Sequence, residues 1–151
     1  MFRVRRKTLG YGQPMAEDTI RLNAAQSLRV VTSSPERLEL EATWEPGGSA
    51  PPIHWHPTQH EHFEVLEGEL TVELTGEDAR VLGTGGTLDV PPRTGHRMWN
   101  AGDARTRASW VVTPALRTEE MFRSMAGASK LKQGAVILRH RDEFRLGDSP
   151  G

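Results

Sequence analysis

The sequence predicts an all-β fold, a sandwich or barrel of short antiparallel strands, followed by a short helical segment near the C-terminal end. Two observations lead to this prediction. Apolar and polar residues alternate over many short stretches, and the 15 glycines and 10 prolines fall mostly between those stretches. Alternation with a period of two places apolar side chains on one face of a strand, whereas glycine and proline favour the turns between strands. Many short strands joined by turns are typical of sandwiches and barrels.

The strands can be placed along the chain in order. The basic stretch "RVRRK" near the start is predicted to be a solvated strand, and "RLELEATW" is the clearest half-buried one, since Leu38, Leu40, Ala42 and Trp44 would share a face. The remaining strands are predicted at 27–31, 62–66, 69–74, 87–90, 96–100 and 107–113. The links "EGE", "TGED" and "NAGDAR" resemble hairpin connections. We therefore expect consecutive strands to be antiparallel neighbours.

Two helices are predicted after Pro114. Thr118 can cap the first, whose first turn is acidic and which would stop at Gly127. Its apolar positions are Met121, Phe122 and Met125. Apolar residues recur at helical spacing from Leu131 to about Phe144, which predicts the second helix. The tail "LGDSPG" is expected to be frayed.

Length and charge limit the classes of function. A chain of 151 residues suits one domain, 1–151, with the barrel at about 20–114 and the helical tail at about 118–144. Lys and Arg number 19 against 20 Asp and Glu, so no overall field attracts nucleic acid or an anionic membrane. No apolar run approaches the roughly 20 residues that cross a bilayer, and no signal peptide is visible. We expect a cytoplasmic protein whose partner is a small molecule.

Histidines form the most informative pattern in a chain that has no cysteine. Four of the six histidines lie between His54 and His62 in "HWHPTQHEH". His54 and His56 would share one face of a strand, and a hairpin would bring Glu61 back beside them. His96, in the second cluster "GGTLDVPPRTGHRMWN", supplies a third imidazole.

Three imidazoles and one carboxylate suit a divalent first-row metal ion and leave about two coordination positions open for water or a ligand. We predict that His54, His56, Glu61 and His96 bind one such ion per chain, which could be Fe, Mn, Ni, Cu, Co or Zn. The alternative is that these groups only pack in the barrel, but unpaired buried imidazoles and a carboxylate would cost several kcal/mol. His60, in the turn, and His62, on the other face, are expected to be solvated or interfacial.

At these motifs the sequence resembles the cupins. The first cupin motif is met by Gly48, His54, His56, Glu61 and Gly68, and the second by Gly85, Pro91, His96 and Asn100. The resemblance implies a double-stranded antiparallel β-barrel of the jelly-roll type with the metal inside, and a homodimer. It extends to small single-domain bacterial cupins through "FEVLEGEL" and the helical tail after "PALR". Arg93 departs from the family, which usually has glycine there, and this implies a different backbone conformation or a long side chain at the pocket mouth.

Strand parity suggests which side chains lie beside the metal. Phe63, Met98 and Asn100 share the inward parity of Glu61 and His96, so they are candidate substrate-binding residues, although Phe63 could equally fill the core. Arg93 could bind a carboxylate substrate at the mouth, or be a solvated turn residue. The strand register leaves open whether Trp44 or Trp110 stacks on an aromatic substrate.

The leading hypothesis for function is a mononuclear metal-dependent enzyme in which the ion grips an enol, catechol or diketone oxygen of a small organic molecule. With a redox-active ion it would be similar to the quercetinase-type dioxygenases among cupins. With a redox-silent ion it would be an isomerase or cyclase, with Glu61 as general base. A non-catalytic small-molecule binder or sensor is the alternative from another class. A metal-free sugar-phosphate binder or epimerase fits less well, because such cupins commonly lack the full ligand set.

Overall fold

The computed structural model describes residues 19–150, together with the backbone of Thr8–Leu9 and Gln13–Pro14. The basic stretch at 3–7, predicted to be a solvated strand, lies outside the described residues. The strands are β1 (Thr8–Leu9), β2 (Gln13–Pro14), β3 (Thr19–Arg21), β4 (Gln26–Ser33), β5 (Leu38–Trp44), β6 (His54–Trp55), β7 (His60–Glu67), β8 (Leu70–Leu74), β9 (Arg80–Leu82), β10 (Thr87–Val90), β11 (His96–Trp99), β12 (Thr106–Thr113) and β13 (Arg145–Leu146). The helices are α1 (Thr118–Met125) and α2 (Lys130–Arg139).

Two antiparallel sheets make up most of the described structure, which confirms the all-β prediction. One sheet has six strands in the order β10-β7-β12-β5-β4-β3, and the other has five in the order β13-β6-β11-β8-β9. The two-stranded pair β1-β2 is separate. Apolar side chains from both large sheets, such as Leu40 and Phe63 on the first and Leu70 and Val72 on the second, belong to one buried cluster. The sheets therefore enclose a common interior, as in the expected double-stranded barrel.

The alternating sequence pattern predicts burial correctly along the long strands. In β5 the residues from Leu38 to Trp44 alternate between buried and half-buried positions without interruption. In β7 the inward side chains are Glu61, Phe63 and Val65, while Glu64 and Leu66 face solvent. Side chains of opposite parity on a strand point to opposite faces, so Glu61 points into the barrel whereas Glu64 points to solvent.

The expected hairpins are only partly right. The link "TGED" joins the neighbours β8 and β9, but "EGE" joins β7 to β8 and "NAGDAR" joins β11 to β12, which lie in different sheets. Likewise β6 and β7 belong to different sheets, so Glu61 does not return beside His54 through a hairpin. A short turn sequence is compatible with both arrangements, and long-range pairing of β7 with β12 decides between them.

The C-terminal segment also differs from expectation. Thr118 does not cap α1, because it is the first helical residue and the N-cap position is taken by Arg117. The Thr118 hydroxyl instead accepts a hydrogen bond from Gln59 Nε2. The second helix ends at Arg139 rather than near Phe144. The tail is not frayed throughout, since β13 pairs with β6 and Gly95 N donates to Ser149 Oγ at 2.7 Å. Neither helix of the described residues is long and apolar enough to cross a membrane.

Gly68, the last residue of the first motif, allows the chain to pass from one sheet to the other. Its φ is +81°, and a Cβ at this position would lie 2.5 Å from the backbone oxygen of Arg105. We expect Gly68→Ala to lower the free energy of unfolding by about 3 kcal/mol, from left-handed strain and overpacking together. Urea unfolding monitored by circular dichroism would measure the loss.

Gly76→Ala is the matched control, because Gly76 has φ +86° but no heavy atom within 4 Å of the added Cβ. This substitution should cost only the left-handed strain, about 1 kcal/mol. If both substitutions lowered the free energy of unfolding equally, the close approach of the Arg105 backbone to Gly68 would not contribute to the loss of stability.

Candidate metal centre

Three imidazoles converge inside the barrel. His54 and His56 come from β6 and the residue after it, and His96 opens β11, where it pairs directly with His54. One ring nitrogen from each of the three histidines lies within 4.8 Å of the other two. Within the described residues this group has the spacing and donor type of a metal site. His56 and His96 are buried and His54 is half-buried.

Glu61 faces this group from the opposite sheet. Its Oε1 lies 3.1 Å from His56 Nε2 and 2.9 Å from His96 Nε2, and the residue is only 1% exposed. Its Oε2 accepts a hydrogen bond from Trp110 Nε1 at 2.9 Å. The four predicted ligands are therefore brought together, with Glu61 next to two of the three imidazoles.

The hydrogen bonds of the imidazoles test whether the cluster fits a cation. His56 Nδ1 lies 2.7 Å from the main-chain oxygen of Glu143, and His96 Nδ1 lies 2.9 Å from that of Thr94. A carbonyl only accepts, so each Nδ1 donates its proton and a neutral ring turns the lone pair of Nε2 towards Glu61. His56 Nε2 and Glu61 Oε1 are buried without a well-formed hydrogen bond. Converging acceptors of this kind require positive charge, which a divalent ion would supply.

The pKa values point the same way. Burial, helped by the neighbouring His96 and His56, lowers the pKa of His54 to about 3, so its ring is neutral and available as a ligand. Burial would lower the pKa of His56 too, but the negative charge of Glu61 outweighs it and raises that pKa. Burial would raise the pKa of Glu61, but His56 and His96 hold it well below the usual range. The cluster thus favours an ionised carboxylate beside a proton on His56 Nε2, and a divalent ion would take the place of that proton.

The C-terminal segment orients two of the histidines. The ring of Phe144 stacks on that of His54, with centroids 4.6 Å apart and an interplanar angle of 18°. The neighbouring Glu143 provides the carbonyl that accepts from His56 Nδ1. Buried His140, with Nδ1 3.2 Å from Glu143 Oε1, ties this residue to the end of α2. Partners of this kind fix the tautomer and the ring orientation of metal ligands.

We expect Phe144→Ala to weaken metal binding by about tenfold, the lower end of what partners of metal ligands contribute. The reason is that the His54 ring would gain rotational freedom that metal binding must then remove. Isothermal titration with Zn²⁺ measures the affinity. Leu138→Ala, at a position 67% exposed on α2, is the control and should leave it unchanged. An unaltered affinity in Phe144→Ala would show that the stacking does not position His54.

A cavity of about 270 Å³ opens beside the histidines and is mostly apolar. Phe63 and Met98, two of the predicted substrate-binding residues, lie in its wall, as do Trp44 and Trp110. Helix α1 and the C-terminal segment form a further part of the wall, and the side chains that they provide are Thr118, Met121, Phe122, Met125, Phe144 and Leu146. The lining is completed by Leu22, Gln26, Pro51, Pro52 and Gln59.

Asn100 and Arg93, the other two predicted substrate-binding residues, do not line this cavity. Asn100 is buried, and its amide donates to the carbonyls of Trp44 and Ala104 and accepts from Gly102 N, so it braces the loop after β11. Strand parity correctly predicts that Asn100 points inward. It does not predict that all the polar atoms of its side chain form hydrogen bonds with the backbone.

Arg93 lies in the left-handed backbone region that favours glycine, with φ 65°. Its side chain is not part of the cavity lining. Its guanidinium lies 5.8 Å from the centre of the Trp55 ring. This cation-π contact compensates part of the cost of a left-handed arginine.

His60 and His62 lie away from the cavity and contact one surface carboxylate. His60 Nε2 is 3.3 Å and His62 Nδ1 is 2.8 Å from Asp89 Oδ1, and both histidine side chains are 41% exposed. Strand parity separates His62 from Glu61 on β7, whereas His54 and His56 come from β6 and the residue after it, in the other sheet. The histidine-rich stretch therefore supplies side chains both to the interior and to the outer surface of the barrel.

No pattern in the sequence predicts the contributions of α1 and the C-terminal segment to the site. The spacing of Met121, Phe122 and Met125 indicates only the apolar face of a helix. That spacing shows that the face is buried, but it does not show against what. The stacking of Phe144 and the carbonyl of Glu143 leave no pattern in the sequence, because any residue at 143 offers the same carbonyl.

Comparison with known proteins agrees with this geometry. The family model for the Cupin domain matches residues 40–112, which include both histidine motifs. The chain belongs to the cupin superfamily. The fold and the three-histidine group together make it a metal-binding cupin. The predicted resemblance is thus confirmed.

Curated relatives of this cupin are fungal oxidoreductases. It is 45% identical over 73 residues to the probable oxidoreductase yanE of Aspergillus niger, which covers 48% of this chain and 28% of that protein. It is 37% identical over 67 residues to the oxidoreductase macE of Penicillium terrestre, covering 44% and 26% respectively. The chain thus spans only about a quarter of the length of these relatives.

Solved structures show the same fold. KdgF from Halomonas sp. superposes with a TM-score of 0.58 at 21% sequence identity, over 64% of this cupin and 86% of that chain. This likeness concerns the barrel alone, since the identity is too low to indicate a shared activity.

Proposed function

We propose that this cupin is a mononuclear metal-dependent oxidoreductase of the dioxygenase type that acts on a small organic molecule. The observation that supports it most is the set of buried acceptors, His56 Nε2 and Glu61 Oε1, left without good hydrogen bonds beside His54 and His96. A buried cluster of this kind is costly unless it binds a cation. The names of the fungal relatives favour redox chemistry.

Different residues of the site would bind the metal, accept a proton and exclude water. His54, His56 and His96 would hold a divalent first-row ion, which would supply Lewis acidity and, where redox-active, electron transfer. Glu61 Oε1 is placed to take a proton from a substrate hydroxyl at the same point. The Trp110 N–H, which donates to Glu61 Oε2, keeps the carboxylate turned towards the histidines. Phe144 and the side chains of α1 would exclude water from the reacting oxygens.

The test begins with protein purified without an affinity tag, whose metal content is measured by elemental analysis. Separate samples loaded with Fe, Mn, Co, Ni, Cu or Zn are then assayed for oxygen consumption with flavonols, catechols and 1,3-diketones. We expect turnover with at least one redox-active ion and none with Zn²⁺. Oxygen uptake that does not depend on the metal would contradict the proposal.

A non-catalytic binder or sensor is the second candidate, and one observation favours it. Among the described residues that line the cavity, Glu61 is the only carboxylate, and no lysine, arginine or tyrosine is present. A site without a second acid or base is poorly equipped for several proton transfers. If every metal form is inert while ligands still raise the melting temperature, the binder is correct.

The homodimer implied by the resemblance remains a prediction, which light scattering of the purified protein would test.

A further inference from the structure

The lining of the cavity indicates which class of molecule would bind beside the metal. We propose that the ligand is an uncharged, largely apolar ring compound that presents an enol or phenol oxygen to the ion. This inference rests on the proposed function, since it concerns the same site, and it adds the substrate class. The charge, the available hydrogen bonds and the shape of the cavity support it in turn.

The charge of the site admits one negative oxygen and no more. Three neutral imidazoles, one carboxylate and a divalent ion leave a net charge of +1, which one ligand oxygen neutralises once its proton has passed through Glu61 to the solvent. No lysine or arginine occurs among the described residues of the lining, so a second negative charge would have no partner. Burying an unpaired carboxylate in apolar surroundings is strongly unfavourable. A small dianion such as oxalate therefore does not fit.

Two of the polar side chains in the lining, Gln59 and Trp110, are already engaged. Gln59 Nε2 lies within 2.9 Å of three acceptors, the carbonyls of Pro114 and Ala115 and the hydroxyl of Thr118. The indole N–H of Trp110 is bound to Glu61. Among the described residues of the lining, the donors that remain are the side-chain amide of Gln26 and the hydroxyl of Thr118. These are few for a ligand rich in hydroxyl groups, such as a sugar, because each unpaired hydroxyl would lose its bonds to water. The ion would be the main polar anchor.

The remaining wall is aromatic and apolar, which suits a hydrophobic ring compound. The Trp110 ring lies 5.1 Å from Phe63 and 5.4 Å from Phe122, centroid to centroid. Met98, Met121 and Met125 add flexible thioethers, which contact aromatic rings favourably. The volume of about 270 Å³ is near the lower end of the range for small-molecule sites, about 300–1,000 Å³, and suits one or two rings.

The experiment compares two catechols that chelate alike and differ only at the far end. Protein loaded with Zn²⁺, which is redox-silent, is titrated calorimetrically with 4-isopropylcatechol and with 3,4-dihydroxybenzoate, whose carboxylate is close in shape to the isopropyl group. We expect the carboxylate to bind at least about tenfold more weakly, because it would lie unpaired against the apolar wall. Equal or tighter binding of the carboxylate overturns the proposal.

A metal-free arm separates this inference from the proposed function. If Zn²⁺ does not bind, the proposed function fails, yet the apolar preference can still be measured with 4-isopropylphenol against 4-hydroxybenzoate on the metal-free protein. A preference for the phenol without the carboxylate supports the inference. Binding of neither compound in either arm overturns it.

Two variants place a charge in the wall and outside it. Phe122→Arg introduces a cation on α1 beside the cavity and should remove most of the discrimination against the carboxylate. Leu131→Arg adds the same charge at a position that is 89% exposed on α2, and should leave the discrimination unchanged. If Phe122→Arg does not fold, Met98→Lys on β11 makes the same test. If a folded variant with a basic side chain in the wall still binds 3,4-dihydroxybenzoate as weakly as the wild type does, the absence of a cation from the wall does not explain the selectivity.

Discussion

Replacing His96 by alanine is expected to reduce bound metal from near one ion per chain to well below it. His96 is 1% exposed, its Nδ1 is fixed by the Thr94 carbonyl, and its Nε2 points to the centre of the cluster. No other described side chain replaces it in the three-histidine group. Because outer partners alone contribute about 10–100-fold to metal affinity, loss of an imidazole itself should cost at least about 100-fold. Elemental analysis and titration with Zn²⁺ measure occupancy and affinity.

His62→Ala is the matched control for this variant. His62 belongs to the same histidine-rich stretch, but its side chain is 41% exposed and contacts Asp89 on the outer face. Its removal should leave one ion per chain. The opposite pattern, with metal lost in His62→Ala and kept in His96→Ala, would place the metal site on the outer face of the sheet.

Glu61→Gln is expected to lower metal affinity at least about tenfold and turnover at saturating metal by about 100-fold. The amide keeps the size of the side chain, and its oxygen can still accept from Trp110, so the barrel should fold. It removes the negative charge near the ion and the group placed to take a proton. Titration with Zn²⁺ and oxygen consumption with the redox-active ion separate the two effects.

Glu64→Gln on the same strand provides the comparison. Glu64 is solvent-exposed and of opposite parity, so the same change of charge occurs outside the barrel. Affinity and turnover should both stay unchanged. If Glu61→Gln bound metal normally and kept full turnover, Glu61 would have neither role, and the centre would consist of the three histidines alone.

Local pattern predicted the strands well and their connections less well. Alternation in "RLELEATW" corresponds to β5, and the inward parity of Glu61 and Phe63 on β7 is as expected. The links "EGE" and "NAGDAR" resemble hairpins, yet they carry the chain between sheets. Turn chemistry is local, whereas β7 pairs with β10 and β12, both more than 20 residues away by number, and packing of the core selects them.

In the candidate metal centre, too, local pattern predicts the residues but not their distant contacts. The histidine motifs predict the side chains of the centre correctly. Strand parity alone predicts that His54 and His56 lie in the centre and that His62 lies outside it. It did not show that Glu61 lies across the barrel from them, nor that Asn100 is bound to backbone carbonyls and Arg93 to Trp55. Parity gives the face of a strand, but which partner occupies that face depends on elements distant in sequence.

The sequence by itself determined the fold class, the absence of thiolate ligands and the set of imidazole and carboxylate groups available for a metal, because periodicity and residue type are local properties. Only the tertiary structure decided what surrounds that set. The stacking of Phe144 on His54, the Glu143 carbonyl at His56 and the wall formed by α1 arise when a segment more than 60 residues beyond His54 in number folds back over the barrel mouth. Burial of its apolar side chains stabilises that return, and the local pattern that predicts their burial does not encode what they pack against.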